Sequence, residues 1–159
     1  MRTVYQNLAE QAVHNLKFAR NRSMAEALAH SMADVCPAGI ITHVPTANRR
    51  IRQRGYDQAQ LIARAVAAAN SNSYCVILRR HGSQRQLGQS RAVRLQQLSN
   101  AFRPARLLAD KQTPIIVVDD VLTTGATFEA AAKVLRQEGY TTIHALAFAW
   151  AAQGVKLSY

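Results

Sequence analysis

Two adjacent carboxylates, Asp119 and Asp120, are separated by Val121 and Leu122 from a short run of small and hydroxyl-bearing residues, Thr123-Thr124-Gly125-Ala126-Thr127. A helical pattern begins at Phe128, so the amides of Thr123 to Thr127 precede a helix. Unpaired N–H groups and the positive end of the helix dipole favour an anion there. Gly125 lets backbone approach a ligand closely, and three Thr hydroxyls add donors. That combination describes a phosphate cradle. The carboxylates would repel the phosphate itself. They suit the hydroxyls of a sugar, or a Mg²⁺ that keeps most of its waters.

The elements that must hold these groups can be read along the chain. Ile115 to Val118 are apolar and β-branched, the pattern of a buried parallel strand ended by the two carboxylates. Thr3 to Phe18 carries an amphipathic stripe and reads as a helix. Ser23-Met24-Ala25-Glu26 is a capping-box pattern that starts a second helix through Val35. No strand precedes these two helices, so they are expected to pack on the sheet as a hood or flap. Ile40 to Val44 forms a first strand, and Pro45 to Gly55 is expected as a loop with four arginines. Asp57 caps a helix containing Leu61, Ile62, Ala65, Val66 and Ala69. Tyr74 to Leu78 is a second strand ended by Arg79-Arg80. His81 to Gln89 has a mobile-loop composition, and Ser90 starts a short helix to Leu98. Ala101-Phe102 returns the chain to the core. The helix after the key strand runs to Glu138 and stops at Gly139, and Thr142 to Ala149 is a fourth strand. Alternation of strands and helices predicts an α/β fold with a mainly parallel, Rossmann-like sheet flanked by helices. Ligands of such sheets bind outside the carboxyl ends of the strands, where this motif lies.

The chain has 159 residues, enough for one domain with a sizeable core. Cys36 and Cys75 lack metal or disulfide spacing, and the five histidines are scattered. No apolar run reaches membrane-spanning length and no signal-peptide core is present, so a cytoplasmic protein is expected. The net charge of +11 is concentrated. Twelve arginines between Arg49 and Arg106 face a single carboxylate, Asp57, while the rest of the chain balances. Arginine rather than lysine favours planar, bidentate contact with phosphate.

The string from Ile115 to Thr127 resembles, position by position, the phosphoribosyl-pyrophosphate (PRPP) motif of type I phosphoribosyltransferases. Beyond it, the chain resembles the ComF family, also called GntX-like, named for a role in bacterial competence. The residues carrying this second resemblance are Leu16-Lys17-Phe18, Val44-Pro45, Arg52-Gln53-Arg54-Gly55-Tyr56-Asp57-Gln58, Gln86, Arg94 and Ala101-Phe102. It runs from about Tyr5 to Ala149. Asp57 stands where the family usually has Asn, Val93 replaces an acid, and Gln97 replaces Asn. Full-length relatives commonly begin with a Cys-rich zinc module; a single domain over residues 1–159 without that module is the expectation here.

The resemblance implies PRPP as ligand and Mg²⁺ as cofactor. Thr123, Thr124, Gly125, Ala126 and Thr127 would hold the 5′-phosphate. Asp119 and Asp120 would face the ribose hydroxyls and the metal's water shell. Pro45, Thr46 and Arg49 would receive the pyrophosphate, and Arg79, Arg80, Arg85 and Arg91 would close over the site. No residue identifies itself as a general base or as a base-reading group. The surplus arginines, Arg49, Arg50, Arg52 and Arg54 foremost, point to nucleic acid, single- or double-stranded. The family's link with DNA uptake agrees. Three readings follow: a PRPP-binding protein acting with DNA in competence, a nucleobase salvage phosphoribosyltransferase, and a non-catalytic PRPP-binding regulatory module. A second copy of the chain or a component of the competence machinery is a further expected partner.

Overall fold

The computed structural model describes residues 22–81 and 101–150, less the side chains of residues 22–24 and Trp150. Its elements are α1 (Arg22–Ala33), β1 (Ile40–His43), α2 (Asn48–Arg54), α3 (Gln58–Ala69), β2 (Ser73–Tyr74), β3 (Leu78–Arg80), β4 (Phe102–Pro104), β5 (Ile115–Leu122), α4 (Ala126–Gln137) and β6 (Ile143–Trp150). The expected helices over Thr3–Phe18 and Ser90–Leu98, the polar stretch after His81, and Arg85, Arg91 and Arg94 lie outside the described residues.

The main sheet is parallel throughout, in the order β2-β1-β5-β6. Its centre is β5, whose Ile115, Ile116, Val117 and Val118 are all buried. Side chains alternate across a strand, and these four divide between two cores. Ile116 and Val118 pack with α1 and α3 through Leu28, Met32, Ile62 and Val66. Ile115 and Val117 pack with α4 and the β3–β4 ribbon through Phe128, Val134, Leu135 and Phe102. The chain leaves β1 toward β2 on one side and β5 toward β6 on the other. The direction of winding therefore reverses between β1 and β5, and a crevice opens there at the strands' carboxyl ends.

Several expected boundaries move. The strand carrying the carboxylates runs on to Leu122, because Asp119, Val121 and Leu122 still pair with Ala147, Ala149 and Trp150 of β6. Its helix starts at Ala126 rather than Phe128. The single second strand expected over Tyr74–Leu78 is two pieces. Ser73–Tyr74 joins the main sheet, and Leu78–Arg80 forms an antiparallel ribbon with β4, with Arg79-Arg80 inside the strand rather than ending it. The expected arginine loop contains a helix, α2, closed by Gly55 in the left-handed conformation (φ 83°). Ser23 lies inside α1 and does not cap it, since Arg22 is already helical. That helix packs against α3 and β6, over one face of the sheet.

Gly39, just before β1, has φ 155°, and an added Cβ would lie 2.4 Å from the Pro114 carbonyl oxygen. That oxygen accepts the Ile40 N–H at 2.9 Å, so it cannot retreat without breaking the start of the β1–β5 ladder. Gly39→Ala is expected to cost about 1–3 kcal/mol or more, read as a lower denaturation midpoint in urea. An unchanged midpoint would show that β1 can shift freely. Among the described residues, no helix is long and apolar enough to cross a membrane.

Candidate functional site

The crevice at the β1/β5 reversal collects most of the residues singled out by the sequence. A small concavity at the carboxyl end of β5 is lined by Asp119, Val121, Leu122, Thr123, Gly125, Thr127 and Phe128. Gly125 adopts φ 79° at the start of α4 and offers no side-chain cap. The first intrahelical bond is from Glu129 N–H to the Gly125 carbonyl at 2.9 Å. The amides ahead of it belong to the turn, where only Thr124 Oγ1 approaches, 3.4 Å from Ala126 N. Thr123 and Thr124 are exposed, and Gly125, Ala126 and Thr127 are half-buried. Thr123 to Gly125 thus form a turn without a side-chain cap leading into α4.

The two carboxylates are not equivalent. Asp119 follows Ile115 and Val117 on the α4 side of the sheet and lines the concavity. Its Oδ1 accepts the Asp120 N–H at 2.9 Å. Burial foremost, and then the charge of Asp120, raise its pKa well above the ordinary carboxylate range. Asp120 lies toward α3: its Oδ2 accepts from Gln58 Nε2 at 2.8 Å and its Oδ1 from the Val121 N–H at 2.8 Å. Alternation along β5 imposes this division.

Across the crevice, the loop after β1 is organised by Asp57. Both of its oxygens are used: Oδ2 accepts the Thr46 N–H at 2.9 Å, and Oδ1 accepts the Thr46 hydroxyl at 2.9 Å and the Gln60 N–H at 3.3 Å. An Asn, the usual residue in the resembling family, could not accept on both arms. Thr46, expected at the pyrophosphate, thus gives both donors to Asp57 here. Pro45 beside it is buried, and Arg49 is exposed at the start of α2.

Behind Asp57 sits a cluster that sequence reasoning missed. His43 is buried, with Nε2 3.7 Å from Asp57 Oδ2 and Nδ1 2.9 Å from the Tyr74 hydroxyl. Arg64 lies over the Tyr74 ring at 5.1 Å. Desolvation lowers the His43 pKa, with Asp57 opposing and Arg64 reinforcing the shift. A neutral ring accepting from Tyr74 at Nδ1 and carrying its proton on Nε2 satisfies these contacts. The only available signal was a polar residue ending a buried strand, which is too common to single out. A His whose folded pKa is lowered contributes full stability above its ordinary value of 6.5. That contribution is lost as pH falls below it, because the unfolded chain binds the proton first. Wild-type unfolding free energy is therefore expected to decline between pH 7.5 and 5 more steeply than that of His43→Gln; parallel declines in urea titrations would contradict it.

The arginines divide likewise. Arg49, Arg50 and Arg52 are exposed on α2, and Arg54 is half-buried. Arg80, half-buried over the Phe102 ring at 5.5 Å, has its pKa lowered by burial and by Arg50, while Asp119 opposes the shift. Arg80 therefore lies within electrostatic reach of both Arg50 and Asp119. Arg79 is exposed and directly opposite Arg103 across the ribbon.

The solved structures most informative for this arrangement are two. The allosteric regulatory enzyme of purine biosynthesis superposes with a TM-score of 0.54 at 22% identity, over 86% of this chain and 26% of that one. Glutamine PRPP amidotransferase from B. subtilis gives 0.52 at 22% identity, over 84% and 26%. The fold is that of the type I phosphoribosyltransferases. Among curated proteins, the DNA utilization protein YhgH of Salmonella typhi is 32% identical over 145 residues, covering 82% of this chain and 62% of its own length. Competence protein F of Haemophilus influenzae is 34% identical over 114 residues, covering 67% and 48%. The chain is a homologue of these proteins, and it spans about 62% or less of the length of the relatives it matches. No family model matches it.

Proposed function

We propose that this chain binds PRPP together with Mg²⁺ and acts with DNA; the DNA part is supported by relatives named for DNA utilization and for competence. The observation that carries the reading is the placing of Asp119 and the uncapped turn before α4 in one concavity. A sugar phosphate has the matching polarity: its phosphate takes the turn amides and hydroxyls of residues 123–127, and its ring hydroxyls take a carboxylate. Arg50 and Arg80 add positive charge for a second phosphate group. Pro45, Thr46 and Arg49 would border the pyrophosphate, with Thr46 re-aimed from Asp57.

The donors present fit Mg²⁺ in one way. Among the described residues no three His, Cys, Asp or Glu side chains gather to hold a metal. Asp119, with Asp120 behind it, suits an ion that keeps its waters and is held largely by ligand oxygens. Such an ion would neutralise the pyrophosphate and link it to the acidic pair. The protein's own part is to position the sugar and stabilise charge. Two or three charge-assisted hydrogen bonds of roughly 1.5–3 kcal/mol each place the affinity between about micromolar and millimolar. The free thiols Cys36 and Cys75 are consistent with a cytoplasmic setting.

Calorimetric titration of PRPP with and without Mg²⁺ tests the ligand. Saturable binding that weakens on removing the metal is expected, and no heat at millimolar PRPP would reject the reading. Pyrophosphate release in a screen of nucleobases with PRPP and Mg²⁺ would instead establish a salvage transferase.

A further inference from the structure

Gln58 is the one polar side chain of α3 that is fully buried, 2% exposed, and both ends of its amide are engaged. Oε1 accepts from Arg54 Nη1 at 3.1 Å, and Nε2 donates to Asp120 Oδ2 at 2.8 Å. The orientation of the amide is forced, since a guanidinium requires an acceptor and a carboxylate requires a donor. Its neighbour Asp57 holds Thr46 of the β1 loop. Two consecutive residues at the start of α3 thus tie down the ends of β1 and β5, the strands flanking the crevice. Gln58 also links the arginine helix α2 to the acidic pair.

We propose that Gln58 is a positioning residue for the ligand site. It draws Asp120 toward α3 and sets the angle at which the end of β5 presents the acidic pair to the sugar. The inference rests on the PRPP reading for its functional consequence, but the positioning itself can be measured without ligand. Few side chains can replace it. Glu would face Asp120 with a second carboxylate, and Met would leave Arg54 and Asp120 without this bridge. Reversing the polarity of the pair should restore it: in Gln58→Glu with Asp120→Asn, the carboxylate accepts from both Arg54 and the new amide.

The reporter is the Val121 amide, which donates to Asp120 Oδ1 at 2.8 Å. In ligand-free protein, Gln58→Glu is expected to speed hydrogen exchange at Val121 by about tenfold relative to Ile116, the worth of one such hydrogen bond. The double variant should return it to near the wild-type rate. Equal acceleration at Val121 and Ile116 would mean a general loss of stability, and failure of the double variant to recover would deny the pairing; either result overturns the proposal. In parallel, PRPP affinity measured with Mg²⁺ should fall by about tenfold in Gln58→Glu, whose Asp119 and Asp120 are both intact. Unaltered affinity in Gln58→Glu would overturn the functional consequence. A wild-type protein that binds no PRPP would reject the ligand reading, while the exchange result still decides the positioning.

Discussion

Asp119→Asn is expected to weaken PRPP binding and to raise the thermal midpoint. The two effects have one cause. Asp119 is held in a half-buried place beside Asp120, and burial followed by that neighbour's charge lifts its pKa well above the ordinary range. A carboxyl with a raised folded pKa binds its proton more tightly when folded. Its contribution is therefore greatest at low pH and declines as pH rises from about the unfolded value, 3.8, through the raised one. Above the unfolded value, the unfolded chain's preference for the ionised form opposes folding. Asn keeps an oxygen to accept the Asp120 N–H and removes the charge. In a chain of this size each kcal/mol relieved raises the midpoint by roughly 2–4 °C. A ligand that needs the carboxylate loses a charge-assisted bond of about 1.5–3 kcal/mol, some 10- to 150-fold in affinity. With Asp120→Asn added, binding should disappear from the calorimeter while circular dichroism stays native. A lower midpoint in Asp119→Asn, or undiminished binding in the double variant, would refute this account. The acidic pair is thus maintained at a cost in stability, as binding sites often are.

Replacing Arg50, Arg52 and Arg54 together by Ala should flatten the salt dependence of DNA binding. Part of the arginine charge is not used by the fold. Among the described residues α2 buries no side chain, and Arg49, Arg50 and Arg52 extend into solvent from it. On the ribbon, Arg79 faces Arg103 across β3 and β4, a like-charge pairing that destabilises two strands. A polyanion would neutralise both sets. Each phosphate contact contributes about 0.9 to the slope of log affinity against log salt on duplex DNA. Three lost contacts reduce the slope by about 2.7. The effect should be nearly independent of sequence, because backbone contacts read none. Filter binding or fluorescence anisotropy across a salt series checks it. An unchanged slope would exclude α2 as the contact surface, and a reduced slope for the pair Arg79→Ala and Arg103→Ala would move it to the ribbon. Arg54 is also bonded to Gln58 and Arg50 is assigned to the second phosphate, so retained PRPP affinity in an Arg52→Ala control, with the slope reduced by about 0.9, separates loss of DNA contact from disturbance of the site.

The central strand was legible because four consecutive β-branched residues have few other uses, and Gly125 with its threonines marked the turn. Asp57 was legible as a cap. Its second role was not, since the contact with Thr46 depends on how α2 folds the intervening chain. That helix was read as a loop because its composition, four arginines in six residues, has no apolar stripe to give period; α2 in fact buries nothing. The split of the second strand was hidden for the opposite reason. Tyr74 to Leu78 is uniformly apolar, and nothing in it shows where the chain leaves one sheet for another. Unequal roles for Asp119 and Asp120 were implicit in strand alternation, but became visible only once the strand proved to continue past both. His43 and Gln58 owe their importance to partners 14 to 62 positions away in the sequence, which local pattern cannot reveal.

The β3–β4 ribbon has one more bearing. His81 N–H donates to the Ala101 carbonyl at 2.7 Å, so the two ends of the intervening segment are pinned side by side. With β3 and β4 paired in register, the ribbon itself sets where residues 81 and 101 stand. Phe102 and Leu78 anchor it in the core shared with Val117 and Phe128, so a change that loosens this short ribbon should be felt at the strand that carries the acidic pair.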